Sequence, residues 1–315
     1  MNMNNFRKTI FTFAAITSIA LAGQAFAQSD EAEELKLAAL EALIAAPPER
    51  ALPLAAKALQ GDHSDEVKER ALFILSQIDL PGAQDLLIET AQQSSGEIRL
   101  EAIRMIGIGG DSDALSRLGG IYDGGDEDVR DAVLEAYLIA DDEEAVYELA
   151  VSAANAGNDE DFESAVEMLG VMGAREQLRK LRESTGMSET LIEAYALSGD
   201  ADSLRAIALD NSDSELQIQA IEALGIVGTQ AFKARGSSGD DVNVTLMEIY
   251  KNSDSTDIRE AALEGMLISG HDEGVLELYR SSQDPVEKRE LLEVLVIMGS
   301  DDVWDVIDSA LDGGL

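Results

Sequence analysis

From Gly125 to Val146 the chain reads GDEDVRDAVLEAYLIADDEEAV: an acidic turn, an aliphatic residue, a basic residue, an apolar-striped run, a small turn and a second apolar run. The outline returns as DEVKERALFILSQID (65–79), GEIRLEAIRMIGIGG (96–110), EDFESAVEMLGVMG (160–173), SELQIQAIEALGIVG (214–228), TDIREAALEGMLISG (256–270) and DPVEKRELLEVLVIMG (284–299), with a weaker copy, SETLIEAYALSG, at 188–199. The copies close at Asp79, Gly110, Asp141, Gly173, Gly199, Gly228, Gly270 and Gly299, in steps of 31, 31, 32, 26, 29, 42 and 29 residues. Self-similarity at such a period is the signature of a repeat array, in which no single unit can bury its own apolar face.

Within a copy the apolar positions have helical spacing. Val129, Ala132, Val133, Ala136, Tyr137 and Ala140 follow the i, i+3, i+4, i+7 rule, which defines a first helix. Asp or Ser ahead of each run supplies an N-cap. The closing Gly stands where a chain leaves a helix through the left-handed region. A shorter amphipathic run follows, such as AQDLLIETAQQ (83–93), EEAVYELAVSAA (143–154) or EGVLELYRSS (273–282), so each unit is expected to be a helical hairpin. Gly107, Gly170 and Gly225 lie three residues before the closing Gly, inside the first helix, and close helix approach is the expected reason for them. At the ends, 36–59 reads as a degenerate first hairpin with Pro47 and Pro48 in its turn, and 301–315 as the final helix. The expected fold is all-α: an α-solenoid of about nine hairpins whose neighbours share one core.

The first 27 residues have a different composition. Arg7 and Lys8 precede an apolar stretch from Ile10 to Leu21, and Ala25 and Ala27 frame a cleavage site, the pattern of a secretory leader too short to span a bilayer. The expected product is a single domain over 28–315, periplasmic or secreted, with no membrane insertion after cleavage. The sequence contains no Cys, which excludes disulfides, thiolate metal sites, Cys nucleophiles and lipidation at Cys. Losing the leader removes two basic residues and no acidic one, so 21 Lys and Arg face 62 Asp and Glu, a formal charge of −41. Such a surface repels nucleic acid and anionic lipid and favours protein partners with a basic or neutral surface.

The units resemble short HEAT repeats of the phycobilin-lyase-like type, in which an acidic residue, Val or Ile, and Arg open a helix ending in L-G-x-x-G. The residues that carry the resemblance are Val129-Arg130, Ile98-Arg99 and Ile258-Arg259 in EDVRDAVLEAY, GEIRLEAIRMIG and TDIREAALEGM, and the pattern extends over nearly the whole mature chain. The resemblance implies a right-handed superhelix with second helices on its concave face and a ladder of Asp–Arg contacts between repeats. Glu163 and Gln217 replace Arg and would interrupt that ladder. The family includes scaffolds, partner-docking subunits and chromophore lyases. A phycobilin role needs cytoplasmic antenna proteins, against which the export leader argues.

No catalytic constellation emerges. His63 and His271 stand some two hundred residues apart in acidic turns, without metal-ligand spacing. There is no G-x-S-x-G elbow, and abundant carboxylates identify no acid–base pair. The acidic turns 123–131 and 210–215 do not fit an EF-hand loop and read as helix caps. No metal, cofactor or catalytic residue is therefore expected. The candidates are for partner binding: Tyr122, Tyr250 and Tyr279, which recur on second helices; Arg175, Arg179 and Arg182, concentrated with Lys180 in GAREQLRKLREST; and Lys233 and Arg235 in an insertion near 229–241 between the helices of one unit. The leading expectation is a non-catalytic scaffold or adaptor binding protein through a concave helical face. The alternative is a lyase- or chaperone-like accessory subunit acting on a chromophore or an exported protein.

Overall fold

The computed structural model describes residues 31–210, 212–229, 239–299 and 302–311, which are helical almost throughout, with no strand among the described residues. The leader assigned to 1–27, together with Lys233 and Arg235, lies outside them. Helix α1 (31–41) and α2 (Pro48–Gln60) are followed by the repeats. The first helices are α3 (Asp65–Ser76), α5 (Glu97–Gly109), α8 (Glu127–Ala140), α10 (Asp159–Met172), α12 (Glu189–Ser198), α14 (Ser214–Val227), α16 (Thr256–Ser269) and α18 (Pro285–Met298). The second helices are α4 (Pro81–Gln93), the pair α6 (Ser112–Ser116) and α7 (Leu118–Asp123), α9 (Glu143–Ala156), α11 (Arg175–Thr185), α13 (Ala201–Ala208), α15 (Gly239–Asn252), α17 (Asp272–Ser281) and α19 (Val303–Leu311). This is an α-solenoid arrangement. Its helices fall into two compact units divided in sequence between Asp141 and Asp142.

Capping follows the residues expected. Ser64, Asp126, Asn158, Ser188, Asp213, Ser255 and Asp284 each accept a backbone N–H at the start of a first helix, and Asp111, Asp142 and Asp200 do so at second helices. Five of the closing glycines, Gly110, Gly173, Gly199, Gly270 and Gly299, are left-handed, and Asp141 (φ 57) takes that conformation without being glycine. Gly228 differs. Its φ is −70°, and an added Cβ would lie 3.0 Å from both Ser269 Cβ and Val242 Cγ1, so crowding rather than backbone handedness calls for glycine there. The glycines inside first helices do mark close approaches. A Cβ on Gly107 would lie 2.7 Å from Ala136 Cα, and one on Gly225 would lie 2.6 Å from Gly265 Cα.

Two features of the packing depart from the sequence expectation. Across the closing Gly the two helices of a unit touch modestly, whereas most second helices pack extensively on the following first helix, as in α4 with α5, α9 with α10 and α13 with α14; α11 touches α10 and α12 equally lightly. The residue after the aliphatic that opens the first helix adds a polar tie to this contact in two repeats. Arg99 Nε donates to the Ala91 carbonyl at 2.9 Å, and Gln217 Nε2 to the Ala208 carbonyl at 2.8 Å, each satisfying an otherwise unpaired carbonyl in the last turn of the preceding helix. Gln217 thus continues the tie that an Arg-only ladder would have broken. Second, first helices pack closely on their neighbours from α3 to α8 in the first unit and from α10 to α16 in the second, while second helices touch theirs sparsely; α18 makes little contact with α16 and packs instead on α17. A stack spaced more tightly on one side bends toward that side, so over these stretches the first-helix row, not the second, is the inner row of each unit.

A candidate partner-docking face

Tyr122 and Tyr250 are buried, at 4% and 5% exposure, and Tyr279 is half-buried. Each meets a cation of the next first helix: Arg130 lies 6.0 Å from the Tyr122 ring centroid, Arg259 4.6 Å from that of Tyr250, and Lys288 5.2 Å from that of Tyr279. The Tyr250 hydroxyl donates to Glu287 at 3.1 Å and accepts from Arg259, which also pairs with Glu287. Burial pushes this phenol above its ordinary pKa. These rings are packed between helices and offer little surface.

The cations of α11 stay at the surface, but their donors are engaged by the fold. Arg175 donates through Nε and Nη2 to the Ser198 carbonyl at 3.1 and 2.9 Å. Arg179 donates to Ser203 Oγ at 3.1 Å and to Asp200 at 2.7 Å, and Asp200 is 1% exposed. The hydrogen bond to Asp200 raises the pKa of that guanidinium further. Lys180 pairs with Glu176 one turn away at 2.9 Å, and Arg182 is half-buried, its charge acting on the buried Tyr195 phenol. His63 Nδ1 lies 3.4 Å from Lys36 Nζ. Among the described residues no three His, Asp or Glu side chains are grouped to hold a metal ion. At the insertion, α14 ends at Val227 and α15 begins at Gly239, so Asp240 and Asp241 are helical.

The exposed chemistry of the array lies elsewhere, on the first-helix row. Two residues before every closing position except Asp79, where Gln77 stands, lies a large aliphatic side chain that the core does not cover: Ile108 and Ile139 in the first unit, and Val171, Leu197, Ile226, Ile268 and Ile297 in the second, each between 41% and 70% exposed. Their spacing puts them at one register position, the same place on every first helix from α5 to α18. Scattered surface aliphatics are ordinary, but a register-matched series is not scatter. One helical turn earlier, on the same face, stand Glu135, Glu167, Glu193, Glu222, Glu264 and Glu293, all exposed. At the corresponding place of α5 stands Arg104, which bonds Glu135 at 2.9 Å, Glu97 at 3.1 Å and Glu101 at 3.4 Å and so neutralises the row in the first unit. In the second unit Glu167, Glu193, Glu222 and Glu264 form no ion pair among the described residues, and Glu293 has only Arg289 at 3.9 Å.

A groove of about 660 Å³ opens on this row between α10, α12 and α14. Leu197 and Ile226 line it together with Glu163, Glu167, Glu189 and Glu193. The arrangement can hold an apolar side chain between carboxylates. It presents no activated nucleophile and no donor set for a developing oxyanion. Sequence reasoning passed over this face, although its signal is present: the helical stripe from Val129 to Ala140 excludes Ile139, and an aliphatic residue stands off the stripe in the same way in seven copies.

Residues 52–138 match the HEAT repeats family. No curated relative matches the sequence. Among solved structures, human deoxyhypusine hydroxylase in complex with glycerol is similar at 19% identity and a TM-score of 0.35, over 84% of this chain and 91% of that one. An engineered protein is similar at 16% identity and a TM-score of 0.33, over 86% and 89%. The complex of CpcE and CpcF of phycocyanin lyase from Nostoc is similar at 17% identity and a TM-score of 0.29, over 78% and 94%. Likenesses at TM-scores this low carry no argument about activity.

Proposed function

We propose that this HEAT-repeat protein is a non-catalytic scaffold that binds protein partners outside the cytoplasm. The reading is carried by one observation, the register-matched exposed aliphatics of the first-helix row, because array proteins that only need to remain soluble gain nothing from repeating an apolar side chain on their inner row. The inner row is also where a docked segment touches several repeats at once. Carboxylates that are exposed and unmatched supply no acid–base pair, and the two His stand in turns apart from the groove. Export is read from the leader pattern of the first 27 residues.

A photo-crosslinking amino acid placed at Ile226, in the cells that make the protein, is expected to capture a protein partner; the same group at Leu209, which is 52% exposed at the end of a second helix, is not. Equal capture from both positions, or capture only from Leu209, would contradict the assignment of the face. Mass measurement of the protein from the same cells is expected to find Gln28 at its N-terminus. An intact leader on the functional protein would refute the export part of the reading.

A further inference from the structure

We propose that the face of the second unit takes a cationic amphipathic α-helix, which lies across the packed first helices α10, α12, α14 and α16 with its apolar stripe on Val171, Leu197, Ile226 and Ile268 and its Lys or Arg residues over Glu167, Glu193, Glu222 and Glu264. This deepens the docking reading above and rests on it.

Three features fix the chemistry of the occupant. The apolar series calls for an apolar stripe of matching repeat. Neighbouring packed helices lie about 8–10 Å apart, and an α-helix rises about 1.5 Å per residue, so one step along the row corresponds to about six or seven residues of a helix. A helical partner therefore presents one apolar residue per step on a single face, as heptad-like sequences do. Each aliphatic has a glutamate four residues before it on the same helix, so a carboxylate row runs beside the apolar row at a distance of one turn. Four of these carboxylates have no ion pair among the described residues, and the groove adds Glu163 and Glu189. Bringing anionic side chains here would set like charges against one another, whereas Lys or Arg would meet carboxylates that have no cation of their own among the described residues. The same charge excludes a second copy of this chain and anionic membranes as occupants.

The test uses the full chain and four labelled synthetic peptides of about 25 residues, long enough to span the four packed helices. Three share a Leu stripe and carry Lys, Gln or Glu on the polar face; the fourth keeps the Lys composition with the stripe scrambled. Fluorescence anisotropy is expected to show the striped Lys peptide binding about tenfold or more tighter than the Gln peptide, the Glu peptide not binding, and affinity falling as salt rises. The double substitutions Leu197→Ser with Ile226→Ser, and Glu193→Gln with Glu222→Gln, are each expected to weaken the striped Lys peptide about tenfold. All four positions are exposed, so circular dichroism is expected to be unchanged. A Gln peptide binding as tightly as the Lys peptide would overturn the cationic assignment while leaving a docking face. A scrambled Lys peptide binding equally, indifferent to Leu197→Ser with Ile226→Ser, would overturn it by showing diffuse attraction. No binding by any peptide would overturn the helical occupant, and the crosslinking at Ile226 then decides separately whether the face binds protein at all.

Discussion

Gly225 sits where two helix backbones meet, and its neighbour across the gap is another glycine, Gly265. In an isolated helix Gly225→Ala would gain about 1 kcal/mol from propensity. Here the new methyl would meet Gly265 Cα at 2.6 Å and its carbonyl oxygen at 2.9 Å, backbone atoms that cannot rotate away. Overpacking of that kind costs about 1–3 kcal/mol, so urea denaturation is expected to show Gly225→Ala less stable than the parent by about 2 kcal/mol. Gly120→Ala, in α7 with nothing within 4 Å of the added carbon, is expected to be neutral or stabilising. If both substitutions stabilise, crowding does not explain Gly225. Glu69 makes a different point at the same scale. Burial first, and then the fields of Glu101, Asp65, Glu97 and Glu66, hold its carboxyl above the ordinary range. A carboxyl whose pKa is raised by folding stabilises the fold when protonated, and that contribution is lost as pH rises through the folded-state value. Glu69→Gln is therefore expected to raise the melting temperature at pH 7, with the difference from the parent shrinking as pH falls through the carboxylate range.

Helices α11 and α13 are joined by a short polar tie rather than by a large apolar seam. Asp200 caps α13 through the Ser203 amide, accepts from Ser203 Oγ at 2.7 Å, and receives Arg179 from α11. Arg179→Met keeps the side-chain stem but leaves a buried carboxylate short of its cation. Because the guanidinium is half exposed, the loss is expected near the lower end for such pairs, about 1–2 kcal/mol in denaturant melts. No change on substitution would mean that solvent already satisfies Asp200. The basic run of α11 was legible in the sequence, but its use was not, since the turn residue it meets lies 21 positions away and only packing brings them together. The tyrosines illustrate the same limit. Their recurrence was plain, while the cations that cover them, at eight or nine residues' distance, became neighbours only once the second helix folded back on the following first helix.

A chain with 62 acidic residues against 23 basic ones holds together against its own charge. Screening extends over about 30 Å at 0.01 M salt and only a few ångströms near 1 M. The melting temperature is therefore expected to rise by several degrees between those limits, through relief of self-repulsion. A melting temperature independent of salt would show that the carboxylates are too far apart, or too well paired, to matter. By itself the sequence determined the helices, their caps, the repeat period and the acidity, because each depends on interactions within a few residues or on composition alone. It also contained the aliphatic residue two places before seven of the eight closing positions, though nothing local distinguishes that residue from a core side chain. Only the tertiary structure decided which row of helices is crowded, which helices pair, and therefore which aliphatics are left uncovered, because burial is a property of the neighbours a residue acquires and those neighbours lie a full repeat away.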